Sequence, residues 1–219
     1  MKPYLVALNL QHQSVLVVGG GAVATRKVRG LIDADAQITV ISPRVSETIR
    51  LFANMGQLAW MDSIYRSEVL DSVKPILVIA ATDDPNVNAD ILRDAQARHI
   101  LANNVSSSES SDFTNVATID REPIQIGISS GGASPALVHH IKREINEVVD
   151  EGYALLAQWL DEVRHQVEQI IPAQADRQAL YQDIVTSDVL ALLHTGDVIK
   201  ARAKFDAIVV SHLAEKQVL

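Results

Sequence analysis

Apolar and polar positions follow two periods along the first hundred residues, and each change of period marks an element. Val15 to Val18 is a short continuous apolar run, the pattern of a strand buried on both faces, and the amphipathic stretch Ala22 to Ile32 predicts a helix after it. Gln37 to Ile41 repeats the strand pattern and Ser46 to Met55 the helical one. Leu58 to Met61 predicts a weaker third strand, Ile76 to Ala81 a fourth and "ILANNV" a fifth. Between the last two, "DPNVNADILRDAQAR" predicts a helix with Pro85 near its first turn, where a missing N–H is harmless. Strands and helices in this order imply a parallel sheet covered on both faces, with right-handed crossovers.

The pattern changes after Val105. "SSSESSD" has the composition of an exposed loop; beyond it Ile124, Ile126 and Ile128 alternate with Gln125 and Gly127, and "DREP" supplies turn chemistry, predicting two antiparallel strands. From Ser134 onward the chain reads as helix. Ser134 can cap, Pro135 fits the first helical position, and Leu137, Ile141, Ile145 and Val148 to Val149 make one apolar stripe. Tyr153 to Ile171, Ala175 to Val185, Ser187 to His194 and Asp197 to Leu213 are amphipathic too. The expected parts are a parallel α/β domain over 1–112, a strand-and-helix connector over 113–150 and a helical domain over 151–219.

Composition narrows the chemistry. The 219 residues hold no cysteine, which removes disulfides, thiolate metal sites and cysteine nucleophiles. A formal net charge of −8 argues against a nucleic-acid partner, which needs a basic face, and 4% aromatic residues leave few stacking platforms. No apolar run approaches the roughly 18 residues of a membrane span, and the N-terminus lacks a signal-peptide pattern. A cytoplasmic protein without a membrane partner is therefore expected.

Gly19, Gly21 and Ala24 fit the pattern G-x-G-x-x-G/A, directly after a predicted strand and before a predicted helix. In that setting the first glycine makes the turn and the second admits a pyrophosphate to the backbone. A small third residue lets helix and strand pack, and the helix-start amides at Ala22 and Val23 meet the phosphates. Within a strand, turn and helix this predicts a Rossmann-type dinucleotide site, the alternative being a plain tight turn. Where the pattern expects an acidic residue for the ribose, the chain has Ser42, Pro43 and Arg44. Ser42 can hydrogen-bond a ribose, and Arg44 reads equally as a partner for a second phosphate or as an exposed turn residue, so NAD and NADP both remain open. The first and fourth strands flank the switch point of such a sheet, which places Thr82, Asp83 and Asp84 beside the glycine turn. Either aspartate can serve as a helix cap. Asn103 to Ser106, ending the fifth strand, complete the expected floor of the site.

Taken together, "VLVVGGGAVATRKV", "VIAATDDPNVN", "ANNV" and "DFTNVATIDREPIQIGISSGGASPAL" resemble the precorrin-2 dehydrogenase and sirohydrochlorin ferrochelatase family of sirohaem synthesis. The likeness covers residues 1 to about 150 well and the helical part in length and character. It implies a homodimer joined through the connector, NAD as cofactor, oxidation of precorrin-2 to sirohydrochlorin, and in some members insertion of ferrous iron, which would be a substrate and not a resident metal. Larger relatives carry a methyltransferase domain beyond this unit, for which the chain has no length. On this reading Asn104, Ser129, Ser130, Gly131 and Ser134 bind the polycarboxylated tetrapyrrole through hydroxyls and backbone amides. Arg121 and Lys142 are further candidates for its carboxylates. His139 or His140 can face the cleft, since only one of two adjacent helical residues points at a given site.

One position departs from the resemblance. The family carries a catalytic aspartate after "NNV", and this chain has Ser106. A hydroxyl cannot take up a proton at neutral pH as a carboxylate does. Asp112 is the nearest replacement, with Glu109 behind it. A missing base costs a factor of about 100 to 10,000, because cofactor placement still carries much of the rate. Two rivals follow: a relative that has lost dehydrogenation and acts as chelatase or tetrapyrrole carrier, and a nucleotide-sensing module of the kind that gates ion transport. No metal ligand set is evident.

Overall fold

The computed structural model describes residues 3–107 and 109–217. The chain divides into two compact units, one of Leu5–Asn115 and the other built from residue 116 onward together with Pro3 and Tyr4.

The first unit alternates strand and helix: β1 Ser14–Val18, α1 Ala22–Asp33, β2 Gln37–Ile41, α2 Glu47–Asn54, β3 Ala59–Met61, α3 Glu68–Val73, β4 Leu77–Ala80, α4 Pro85–Gln96 and β5 Leu101–Asn104. The five strands form one sheet in the order β3-β2-β1-β4-β5 with every pair parallel. The run Val15–Val18 lacks alternation because both of its faces are covered. Val15 and Val17 pack with Ala24 and Val28 of α1 and Ile49 of α2, whereas Leu16 and Val18 pack with Leu70 of α3 and Ile91 and Leu92 of α4. The fold class expected from the pattern is the one observed. Helix α3 was not anticipated; its six residues make less than two turns, and only Leu70 is buried.

Strand order reverses between β1 and β4, which pair directly in the register Val18↔Ala80. The crevice beyond their carboxyl ends is where ligands enter sheets of this type.

The second unit begins with an antiparallel pair, β6 Ala117–Arg121 and β7 Ile124–Ile128, as the alternating isoleucines predict. Helix α5, Pro135–Val148, follows with the expected cap: Ser134 Oγ accepts from the Leu137 N–H at 3.2 Å. Its apolar stripe is only partly covered: Ile141, Ile145 and Val149 are half-buried, while Leu137 and Val148 are exposed. The helices α6 Glu151–Ile170, α7 Gln174–Thr186, α8 Val189–His194 and α9 Val198–Gln217 share a separate core around Trp159, Ile184 and Phe205. Helix α6 starts before the predicted Tyr153 because Asp150 caps it, accepting from the Gly152 N–H at 2.9 Å.

Candidate cofactor and substrate site

The turn between β1 and α1 is pressed into its neighbours on one side and open on the other. Gly19 has φ +119°, and a Cβ there would stand 2.1 Å from the Ala81 carbonyl oxygen at the end of β4. At Gly20 a Cβ would stand 2.1 Å from the Arg44 carbonyl oxygen. Gly21, the N-cap of α1, has an ordinary φ of −79°, no side-chain cap, and nothing within 4 Å of the space a Cβ would fill. Its openness leaves the first amides of α1, at exposed Ala22 and Val23, without a side-chain partner, while Ala24 is fully buried against the sheet. An open cradle at an uncapped helix start fits a dinucleotide pyrophosphate.

The loop after β2 closes one flank. Ser46 N–H donates to the Gly20 carbonyl at 2.8 Å, and the Thr25 and Ser46 hydroxyls lie 2.8 Å apart. Ser42 Oγ donates to the Arg44 carbonyl at 2.7 Å, which leaves its lone pairs as acceptors for a ribose hydroxyl. Pro43 and Arg44 are exposed, and no carboxylate among the described residues pairs with Arg44.

The loops after β4 and β5 are joined by a residue that sequence reasoning missed. Asn88, on α4, is fully buried. Its Oδ1 accepts from Thr82 N–H at 3.1 Å and Thr82 Oγ1 at 2.7 Å; its Nδ2 donates to the Thr82 carbonyl at 3.1 Å and to Ser106 Oγ at 3.3 Å. A signal was present: Asn88 shares the spacing of buried Ile91, Leu92 and Ala95, so a polar side chain stands on the core stripe of its helix. Asp84 is the cap of α4, accepting from the Asn86 N–H at 2.8 Å. Asp83 is exposed and has no hydrogen-bond or ion-pair partner among the described residues.

Ser106 lies exposed in the turn after β5, its N–H donating to Asn104 Oδ1 at 2.9 Å. Asp112 stands elsewhere, along the outer edge of β5. Its Oδ2 accepts from the Ala102 N–H at 3.0 Å, its own N–H donates to the Ala102 carbonyl at 2.9 Å, and Gln96 Nε2 donates to its Oδ1 at 3.3 Å. This aspartate closes an exposed strand edge through Oδ2, and Gln96 of α4 holds its Oδ1. Lys27, on α1, is half buried and donates to Asn115 Oδ1; burial first, and Arg26 second, lower its pKa.

The serine and glycine loop belongs to the second unit. Gly131 and Gly132 have φ of +63° and +87°. Ser130 Oγ accepts from the Ser134 N–H and Ser129 Oγ from the Gly131 N–H, each at 3.1 Å, so three of the named serines already hold the loop or cap α5. Exposed Ser129 and Gly131 are the positions a ligand can reach. Arg121 is engaged internally, donating to Asn146 Oδ1 at 2.8 Å and lying 3.2 Å from Glu151. His140 sits between Arg143 and Glu144. No cluster of three His, Cys, Asp or Glu side chains able to hold a metal occurs among the described residues, and none of their helices is long and apolar enough to cross a membrane.

Three family models tile the chain. One described as "Putative NAD(P)-binding" matches residues 6–117, the sirohaem biosynthesis protein central segment matches 121–147, and the sirohaem synthase dimerisation region matches 152–208. The dimerisation model therefore falls on helices α6 to α9 and not on the connector. The siroheme synthase of Chromobacterium violaceum is 32% identical over 216 residues, 99% of this chain and 46% of the relative. That of Methylobacillus flagellatus is 34% identical over 184 residues, 84% of this chain and 39% of the relative. The chain thus spans less than half the length of these curated relatives. Among solved structures, SirC, a precorrin-2 dehydrogenase, superposes with a TM-score of 0.78 at 29% identity, covering 94% of this chain and 98% of that one. With the open glycine turn at the switch point of a β3-β2-β1-β4-β5 sheet, these matches establish that the chain belongs to the NAD(P)-binding family found in sirohaem biosynthesis proteins.

Proposed function

We propose that this protein is an NAD-dependent precorrin-2 dehydrogenase, oxidising that tetrapyrrole to sirohydrochlorin as a homodimer in the cytoplasm. The observation that carries the reading is the open cradle at Gly21 and the uncapped start of α1, set at the strand-order reversal of a chain similar along nearly its whole length to a precorrin-2 dehydrogenase. NAD held there would supply the hydride acceptor for oxidation of the macrocycle.

The chain's own residues hold and orient. The amides at Ala22 and Val23 would hold the pyrophosphate, Ser42 would accept from the ribose, and exposed Arg44 would meet a second phosphate. Thr82 and exposed Asp83, in the loop after β4, would help to hold the nucleotide. Exposed Ser106 presents its hydroxyl to the tetrapyrrole, while Asn104 beside it is buried and holds the Ser106 N–H. Oxidation releases protons from the macrocycle. Neither Ser106 nor the engaged Asp112 is suited to take them, and Asp83 is the free carboxylate at this edge. The homodimer is supported by the dimerisation-region match and by exposed Leu137 and Val148 on the apolar stripe of α5. The same lack of a carboxylate at position 106 favours a second reading, a chelatase or carrier of the tetrapyrrole that takes ferrous iron as substrate.

The test is anaerobic mixing of the protein with freshly made precorrin-2 and NAD. NADH formed in step with sirohydrochlorin supports the dehydrogenase; binding of both ligands without NADH above the uncatalysed rate gives the second reading.

A further inference from the structure

We propose that Asn88 is a positioning residue that fixes the Ser106 hydroxyl as a hydrogen-bond donor to a carboxylate of the bound tetrapyrrole; this rests on the substrate reading above.

The orientation of the Asn88 amide follows from Thr82 alone. The Thr82 N–H can only donate and its carbonyl can only accept, so Oδ1 must face the first and Nδ2 the second. A flipped amide would set donor against donor and acceptor against acceptor. With one N–H of Nδ2 given to the Thr82 carbonyl, the other points at Ser106 Oγ. That bond uses a lone pair of the serine oxygen and leaves its single proton unspent. The Ser106 N–H is held separately by Asn104 Oδ1 at 2.9 Å, which fixes the backbone that carries the hydroxyl.

Burial makes the arrangement rigid. Asn88 is fully buried with both amide atoms satisfied, so rotating it would strand several polar groups away from water. Ser106 by contrast is exposed. A fixed acceptor bond on its buried side and open space beyond aim the O–H outward from the end of β5. The ligand class that suits an outward hydroxyl donor is a carboxylate, and the tetrapyrrole carries several. Ser106 then binds substrate and moves no proton.

The test is a double-mutant cycle read by absorbance titration of sirohydrochlorin in the absence of NAD. Asn88→Asp keeps the shape and the two acceptor bonds from Thr82 but removes the donors, so the Ser106 proton turns inward to the new carboxylate. Ser106→Ala removes the donor outright. Each single variant is expected to weaken binding about 10-fold, the scale of one hydrogen bond, and the double variant also about 10-fold because the two changes delete one interaction. A double variant weakened about 100-fold overturns the proposal, since Asn88 would then act independently of Ser106. Unchanged affinity in Ser106→Ala overturns it as well. Wild-type protein that binds no sirohydrochlorin overturns the substrate reading together with this one, whereas wild-type protein that binds it but forms no NADH overturns the dehydrogenase alone. Thermal melts of all four proteins show that each is folded at the titration temperature, so that a change in affinity is read from folded protein.

Discussion

A methyl group on Gly19 would lie 2.1 Å from the carbonyl oxygen of Ala81, so the turn after β1 is set against the end of β4 with no room for a side chain. Gly19→Ala combines that collision with an unfavourable φ of +119°. It is expected to cost on the order of 3 kcal/mol in urea unfolding. Gly21→Ala differs, because its φ is ordinary and the space is empty. That variant is expected to unfold at the wild-type denaturant midpoint while binding NAD at least 10-fold more weakly by calorimetry, since the methyl fills the cradle at the helix start.

Asp112 provides a test of edge closure against proton transfer. Both of its oxygens accept hydrogen bonds, one from the Ala102 amide of β5. Asp112→Ala is expected to lose about 1 kcal/mol of stability while kcat with precorrin-2 changes less than 3-fold. A general base would instead cost about 100-fold or more. A kcat loss of that size with unchanged stability would return Asp112 to the chemistry.

Arg44 is exposed, and among the described residues its side chain has no hydrogen-bond or ion-pair partner, while its backbone carbonyl accepts from Ser42 Oγ. Arg44→Ala is expected to leave the affinity for NAD within 2-fold and to weaken NADP about 10-fold, the worth of one exposed charge-assisted bond to the extra phosphate. Equal loss for both nucleotides would place Arg44 on a group they share.

Lys27 links burial to pH. Its pKa is lowered, chiefly by burial, so the folded state disfavours the charged ammonium. Between the lowered folded value and the ordinary unfolded value the unfolded chain binds more protons, and stability rises with pH. Below the folded value the penalty is present in full. Wild-type protein is therefore expected to gain stability relative to Lys27→Met as pH rises toward 10.5, measured by urea unfolding at a series of pH values. A difference that stays flat or reverses would show that the ammonium is not disfavoured in the fold.

The helical unit has its own anchor. Phe205 is fully buried with its ring 5.6 Å from that of Trp159. Phe205→Ala is expected to cost about 3 to 5 kcal/mol, seen as loss of cooperative melting in that unit by circular dichroism.

Much of the architecture was legible because its determinants are local. The run Val15–Val18, the alternation of Ile124, Ile126 and Ile128, and the pair Ser134 and Pro135 each announce an element through neighbours one to four residues away. Helix α3 escaped because six residues make less than two turns and its amphipathic pattern cannot repeat. The α5 stripe was legible as an apolar face, yet period does not report what covers such a face. Within the candidate site, the glycine pattern pointed to Gly19 and Gly21 for their spacing. Nothing local distinguishes Gly20, whose constraint is the Arg44 carbonyl more than twenty positions away.

Apart from α3, the order of strands and helices, the parallel sheet and the dinucleotide turn were therefore already written in the chain, since short-range periodicity and one glycine spacing suffice to specify them. The roles of Asn88, Ser106 and Asp112 were not. Each depends on hydrogen bonds between segments ten or more residues apart: Asn88 reaching Ser106 and Asp112 reaching Ala102. The packing of α4 beside the ends of β4 and β5 decides which polar groups meet, and once they are buried the cost of an unmet donor or acceptor holds them there.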